Sequence, residues 1–259
     1  MHRSNLSTLP EIPNNTSVLV IADPQTTLLP GEVAMIQLYL QQGGNLLWLR
    51  ESQQAANSAL QPIEQQLGIK ALSGTLVDPT GQLLGITDPR FALVAEYPSH
   101  PITASLASLT LFPQASGLEV VETSEWHSEP LLATLPRSWI EQDEIIDQVD
   151  FNEGRDLPGP ITLGLALSKA QQRVVVIHDA DFLSNSYLGN GANLNLGLNI
   201  INWLSHDESF IDIPAKSTPD NHLELGGRAQ IFIGLSFIIL IPGGLLVCGI
   251  WIWLRRRKR

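Results

Sequence analysis

From Ile231 to Leu254 the chain reads IFIGLSFIILIPGGLLVCGIWIWL, a run without one formal charge. About 20 such residues suffice to cross the hydrocarbon core of a bilayer as a helix. Arg228 stands on one side of the run, and Arg255 to Arg259, all basic, stand on the other. Trp251 and Trp253 fall where an aromatic belt would lie at the membrane boundary. Pro242, Gly243 and Gly244 break the apolar pattern, but membrane helices tolerate such residues. The sequence therefore predicts one transmembrane helix over 231–254, with the basic tail 255–259 on the cytoplasmic side, following the positive-inside rule.

That orientation places the main body outside the cytoplasm, on the periplasmic face of a bacterial inner (plasma) membrane crossed in a single pass. The first residues, MHRSNLSTLPEIPNNTS, lack the apolar stretch of a secretory signal. Two readings follow: an inverted, tail-anchored topology, or a membrane segment upstream of residue 1 in a longer gene product. The second is the expectation here.

The body is acidic. The chain carries 15 basic and 26 acidic residues, a net −11, and the tail holds a third of the positive charge. Such a surface has no broad footprint for a nucleic-acid backbone, so no nucleic-acid partner is expected. The lone cysteine, Cys248, excludes an intrachain disulfide, a cysteine zinc cage and a CxxC pair. It also sits inside the apolar run, where a thiol is hard to ionise.

Along the body, Val18–Ala22 reads as a buried strand. A helix opened by Pro30 and Glu32 follows and ends at Gly43-Gly44, with Leu46–Leu49 as the next strand. Strand, helix, strand in about thirty residues is the pattern of a parallel βαβ unit. Residues 54–67 predict a second helix. Leu83–Ile86, Phe91–Ala95 and Leu118–Val121 read as short β pieces, and 142–160 as a polar surface loop. Ile161–Leu167 and Arg173–Ile177 are strands, the latter the clearest central one. A long loop through Asn190-Gly191 leads to a helix over Leu194–Leu204.

The expected fold class is α/β: a flavodoxin-like or class I glutamine amidotransferase-like parallel sheet with flanking helices, plus the C-terminal membrane helix. The expected organisation is an N-terminal extension 1–16, an α/β domain 17–204, a polar tether 205–230, the membrane helix 231–254 and the tail 255–259.

In such sheets ligands settle at the carboxyl ends of the strands. Asp23, Glu51, His178, Asp179 and Asp181 fall there, and Asp23, His178, Asp179 and Asp181 form the candidate ligand or loop site. An Asp-x-Asp pair can hold Mg²⁺ through its oxygens, or can cap the following turn. Capping is the expected role, because a metal site needs more converging ligands than this. No GxSxG elbow, HExxH, GxGxxG or phosphate loop occurs. His100 sits in a turn, and Trp48, Trp126, Trp139 and Trp203 are irregularly spaced, as packing residues are. No catalytic residue, cofactor or metal is expected.

Several segments together resemble a known family. VLVIADPQTTLLPGEVAMIQLYLQQGGNLLWLRE, SHPITASLASLTLFPQASGLEV, LLATLPRSWIE, EGRDLPGPITLGLAL, RVVVIHDADFLSN and NLGLNIINWL stand in the order found in the "ABC-type uncharacterized transport system" auxiliary family, which includes gliding-motility GldG-like proteins. His178 departs from the pattern, standing where the family has Gly. The resemblance spans roughly 12–259. It implies an amidotransferase-like fold without catalytic residues and a membrane-anchored extracytoplasmic partner of an ABC permease and its ATPase. Family members run about twice this length, so the chain matches their C-terminal half. Two other readings remain open: a hydrolase or ligand-processing enzyme using Asp23, His178 and Asp181, and a tail-anchored structural scaffold.

Overall fold

The computed structural model describes residues 5–51, 59–121, 125–143, 145, 149–207 and 227–257. The chain divides into two units, Met1–Pro214 and Ala215–Arg259.

The first unit opens with β1 (Leu19–Ala22), α1 (Pro30–Gln41) and β2 (Leu46–Leu49), the βαβ unit that its sequence predicts. Pro30 supplies the first helical position, where a missing N–H costs nothing, and Glu32 accepts from the Leu29 backbone N–H at 2.8 Å. Gly43, at φ +92°, reverses the chain after α1. Gly44 lies flat under the Tyr39 ring, where a Cβ would come within 2.3 Å, while the Tyr39 hydroxyl donates to the Asn45 carbonyl.

After β2 come α2 (Gln61–Leu67), β3 (Ile69–Ala71), β4 (Thr75–Val77), a 3-10 turn at Pro79–Leu84, β5 (Phe91–Val94), β6 (Thr110–Pro113) and β7 (Leu118–Val120). Then follow β8 (His127–Ala133), β9 (Trp139–Glu141), β10 (Leu157–Pro158), β11 (Thr162–Lys169), β12 (Gln172–Ile177) and α3 (Asn193–Leu204).

The main sheet has the order β1-β2-β12-β11-β8. The first three strands are parallel, with Leu46 paired to both Leu19 and Val174. β11 and β8 run antiparallel. The sheet is therefore mixed, which corrects the expectation of a parallel flavodoxin-like sheet. The cause is local: β11 turns back into β12 through the two residues Ala170 and Gln171, with Ala170 at φ +55°, and a two-residue connection can only join antiparallel strands. β8 is an edge strand carrying Pro130 opposite Leu165. Three small sheets, β10-β9-β4, β3-β7 and β5-β6, surround the main one.

All four residues of β2 are buried, as befits a strand covered on both faces. Leu46 and Trp48 face one core with Ile36 and Leu40 of α1 and Ile63 and Leu67 of α2. Leu47 and Leu49 face the other, with Leu196, Ile200 and Trp203 of α3 and with Phe112 and Ile140 from the small sheets. Trp48, Trp126, Trp139 and Trp203 are all buried, so they serve packing. The expected strand at Leu83–Ile86 is instead the end of the 3-10 turn, closed by Gly85 in the left-handed region. The expected helix over 54–67 is described only from Gln61, its earlier part lying largely outside the described residues.

The second unit contains α4 (Gly227–Arg257), interrupted by neither Pro242 nor its glycines. Within it, Leu235–Arg257 is long and apolar enough to cross a membrane, with an 18-residue stretch that reaches a mean hydropathy of 2.4.

Candidate functional site

The parallel strands bring the sequence-predicted polar residues to one end of the sheet. Asp23 follows β1, Arg50 and Glu51 follow β2, and His178 and Asp179 follow β12, with Asp181 in the loop beyond. Backbone bonds extend the pairing one residue further: Asp23 N–H donates to Leu49 and Arg50 N–H to Ile177. Side chains alternate across a strand, so this end has two faces. Arg50 and His178 continue the α1/α2 face marked by Trp48 and Val176, whereas Glu51 and Asp179 continue the α3 face marked by Leu49 and Ile177.

On the α1/α2 face, the Arg50 guanidinium pairs with Glu64 of α2. His178 is 2% exposed, and its Nδ1 has no hydrogen-bond partner. Burial, reinforced by the Arg50 charge, lowers the imidazole to about 3, so the ring is neutral. It lacks the access to solvent that a general base needs to reach a substrate.

On the α3 face, Asp179 is fully buried. Its Oδ1 accepts from the Phe182 N–H at 3.0 Å, a local bond to the turn that follows, whose N-cap position is held by Ala180. Its Oδ2 has no partner. Glu51 Oε1 accepts from the Ala180 N–H at 2.9 Å, so two strand ends hold one loop. Burial first, then the Glu51 charge, pushes the Asp179 carboxyl well above the ordinary carboxylate range. Glu51 is raised by burial, helped by Asp181 and Asp23.

Asp23 stands at φ +39° with Gln25 donating to its Oδ2, while Oδ1 is buried without a partner. Partial burial and the Asp181 charge raise it. Among the described residues no group of three or more His, Cys, Asp or Glu side chains is placed to hold a metal ion. The carboxylates are neighbours in charge without converging as ligands.

Two residues of consequence went unnoticed in the sequence. Arg50 was visible as a charge directly continuing an all-apolar strand. Asn193, fully buried at the start of α3, accepts from Leu111 N–H at 2.9 Å and donates to the carbonyls of Leu111, Phe182 and Tyr187. His100 is also buried, edge-on to Trp203 at 5.0 Å. A separate open cleft of about 460 Å³ runs along α2 and β3, lined by Gln61, Glu64, Gln65 and Lys70 among others.

Neither a protein-family model nor a curated protein sequence matches the chain. Solved structures do. The mmIFT52 N-terminal domain is similar at 18% identity and a TM-score of 0.55, over 76% of this chain and 79% of that one. Cytoplasmic Protein STM3548 from Salmonella typhimurium is similar at 13% identity and a TM-score of 0.48, over 76% of each chain. A ThuA-like protein from Bacteroides uniformis is similar at 17% identity and a TM-score of 0.41, over 73% of this chain and 69% of that one. At such identities the likeness is one of fold: an α/β body whose arrangement is shared with the mmIFT52 domain over most of its length.

Proposed function

We propose that this chain is a non-enzymatic, membrane-anchored auxiliary component of an ABC transporter, its α/β body a contact module for the permease or for an extracytoplasmic partner. The observation that carries the reading is how the strand-end polar groups are used. Asp179 and Glu51 each give an oxygen to an amide of the chain's own loop, and His178 is sealed under the sheet end. A body whose strand-end polar groups serve its own backbone is suited to presenting a surface rather than processing a substrate there. The segments from Val18 to Leu204 that resemble the GldG-like auxiliary family, and the apolar helix ending in Arg255 to Arg257, support the same reading. In it the body is a mixed-sheet variant of the amidotransferase-like fold, the helix lies in a bacterial inner membrane, and the arginine end is cytoplasmic.

The test is affinity purification of the full gene product from membranes in mild detergent. Permease and ATPase subunits are expected to co-purify in fixed proportion, and protease added to spheroplasts is expected to cut the body. A product that purifies alone, with its body protected from external protease, overturns the proposal.

A further inference from the structure

We propose that the arginine end of α4 binds the headgroups of anionic phospholipids, with Arg255 stacked on Trp251 and Arg257 stacked on Trp253 as two forks that each take a lipid phosphate. The inference rests on α4 lying in a membrane, as under the proposed function; it needs neither a transporter partner nor a particular side of the membrane.

The stacks are built one helical turn back from the charges. The guanidinium carbon of Arg255 lies 5.2 Å from the centre of the Trp251 ring, and that of Arg257 lies 5.3 Å from the Trp253 ring. Both pairs are spaced i, i+4, which sets side chains one above the other on a helix. Side chains lean toward a helix's N-terminus, and from the arginine end of α4 that direction leads toward the apolar stretch. Each cation is thus folded back to the level of an indole ring. Tryptophan collects where headgroups meet acyl chains, so the indoles hold the guanidinium groups at the depth of lipid phosphates.

Stacking also decides what each cation has left for a ligand. The guanidinium sits over the ring, and its N–H donors, a planar fork, remain to meet phosphate oxygens two at a time. Trp251, Trp253 and Arg255 to Arg257 are all exposed. Residues two apart stand about 200° apart around an α-helix, so the two stacks address lipids on opposite sides of α4.

Charge selects the headgroup. No Asp or Glu occurs from Leu225 to Arg259, while Arg255 to Arg259 are all basic. The carbonyls of a helix C-terminus offer only about half an elementary charge. A cation at this depth therefore has no carboxylate on its own helix, and a lipid of net negative charge supplies one. A zwitterionic headgroup brings an ammonium of its own, which the arginines repel.

The experiment uses the full chain reconstituted in phosphatidylcholine vesicles, with quenching of tryptophan fluorescence by brominated lipid as the readout. The four tryptophans of the body are buried, so a quencher in the bilayer reads Trp251 and Trp253. Vesicles wholly of brominated phosphatidylcholine should quench wild type and variants alike; absence of quenching there overturns the membrane reading and this site with it. With a minor fraction of brominated phosphatidylglycerol in unlabelled phosphatidylcholine, the wild type should see at least about fivefold more of that lipid than its bulk share, the preference that one basic side chain near an anionic surface supplies. The excess should fall by at least about half in Arg255→Gln combined with Arg257→Gln, and also in Arg255→Lys combined with Arg257→Lys, since an ammonium keeps the charge but lacks the fork. Inorganic phosphate should reduce it no more than chloride does at equal ionic strength. Insertion without a phosphatidylglycerol preference, a double-lysine variant that matches the wild type, or displacement by free phosphate beyond the chloride effect overturns the headgroup site and leaves the membrane reading standing.

Discussion

The guanidinium carbon of Arg50 lies 4.5 Å from the centre of the Trp48 ring, two residues back on the same face of β2. From there the side chain reaches Glu64, tying α2 to the middle of the sheet. Trp48 is wholly buried, and the Arg50 and Glu64 side chains are 4% and 15% exposed. An ion pair so withdrawn from water gains little net stability, because desolvation offsets attraction, but losing one partner strands the other.

Arg50→Met is accordingly expected to destabilise the body by roughly 3–5 kcal/mol. Chemical denaturation of the full chain in micelles, followed by tryptophan fluorescence, measures it. Arg50→Met combined with Glu64→Leu should recover much of the loss, since neither charge is then left alone. A single variant as stable as the wild type would show that the pair does not secure α2.

His178 predicts an acid-sensitive limb. Its folded value, about 3, lies below the ordinary 6.5, so the folded state holds fewer protons than the unfolded chain between those two values. The stability it contributes is complete above pH 6.5 and is lost as pH falls toward 3, on the order of 5 kcal/mol in all. His178→Leu should show a smaller drop in thermal midpoint from neutral pH to pH 4 than the wild type. Parallel curves for the two proteins would contradict this.

Asn193 should be intolerant of its nearest isostere. Asn193→Ala leaves the Leu111 N–H and three carbonyls without the amide that joins them, at a cost of roughly 2–4 kcal/mol. Asn193→Asp should cost more, since a carboxylate would face carbonyl oxygens at the positions its amide now donates to. Equal midpoints for the aspartate and wild-type proteins, read by thermal unfolding, would remove the network from the account.

The apolar helix makes a separate prediction. Leu246→Arg places a charge within the Leu235–Arg257 stretch, and near the middle of a span this disfavours insertion by about 2.5–3.5 kcal/mol. Carbonate extraction of membranes should release a larger fraction of this variant, and removal of residues 227–259 should leave the remainder in the supernatant after ultracentrifugation. Quantitative retention of the truncated chain in the pellet would count against the helix as the anchor.

Where the fold was legible, burial on both faces made it so. LLWL and the VVVI that follows Arg173 are apolar at every position because each lies between helices or loops on two sides, and the Pro30–Glu32 opening announces α1. β8 escaped notice because four of its seven residues, His127 to Pro130, are polar, charged or proline on an edge that faces solvent for half its length. The antiparallel turn into β12 escaped because Ala170 adopts a left-handed backbone that Gly or Asn would ordinarily mark. At the site, strand ends located Asp23, Glu51 and the His178–Asp181 run. Which face each side chain takes depends on strand register, which periodicity in a four-residue strand leaves open. Asn193 joins partners as far away as Leu111, and no local pattern encodes that.

β8 closes one margin of the main sheet with Pro130, whose ring nitrogen has no hydrogen to offer another backbone. Wherever copies of this molecule are crowded together, that margin is a poor template for an incoming extended segment. Growth of strand-swapped polymers from this side is thereby discouraged, and the molecule can be concentrated without its sheets fusing there.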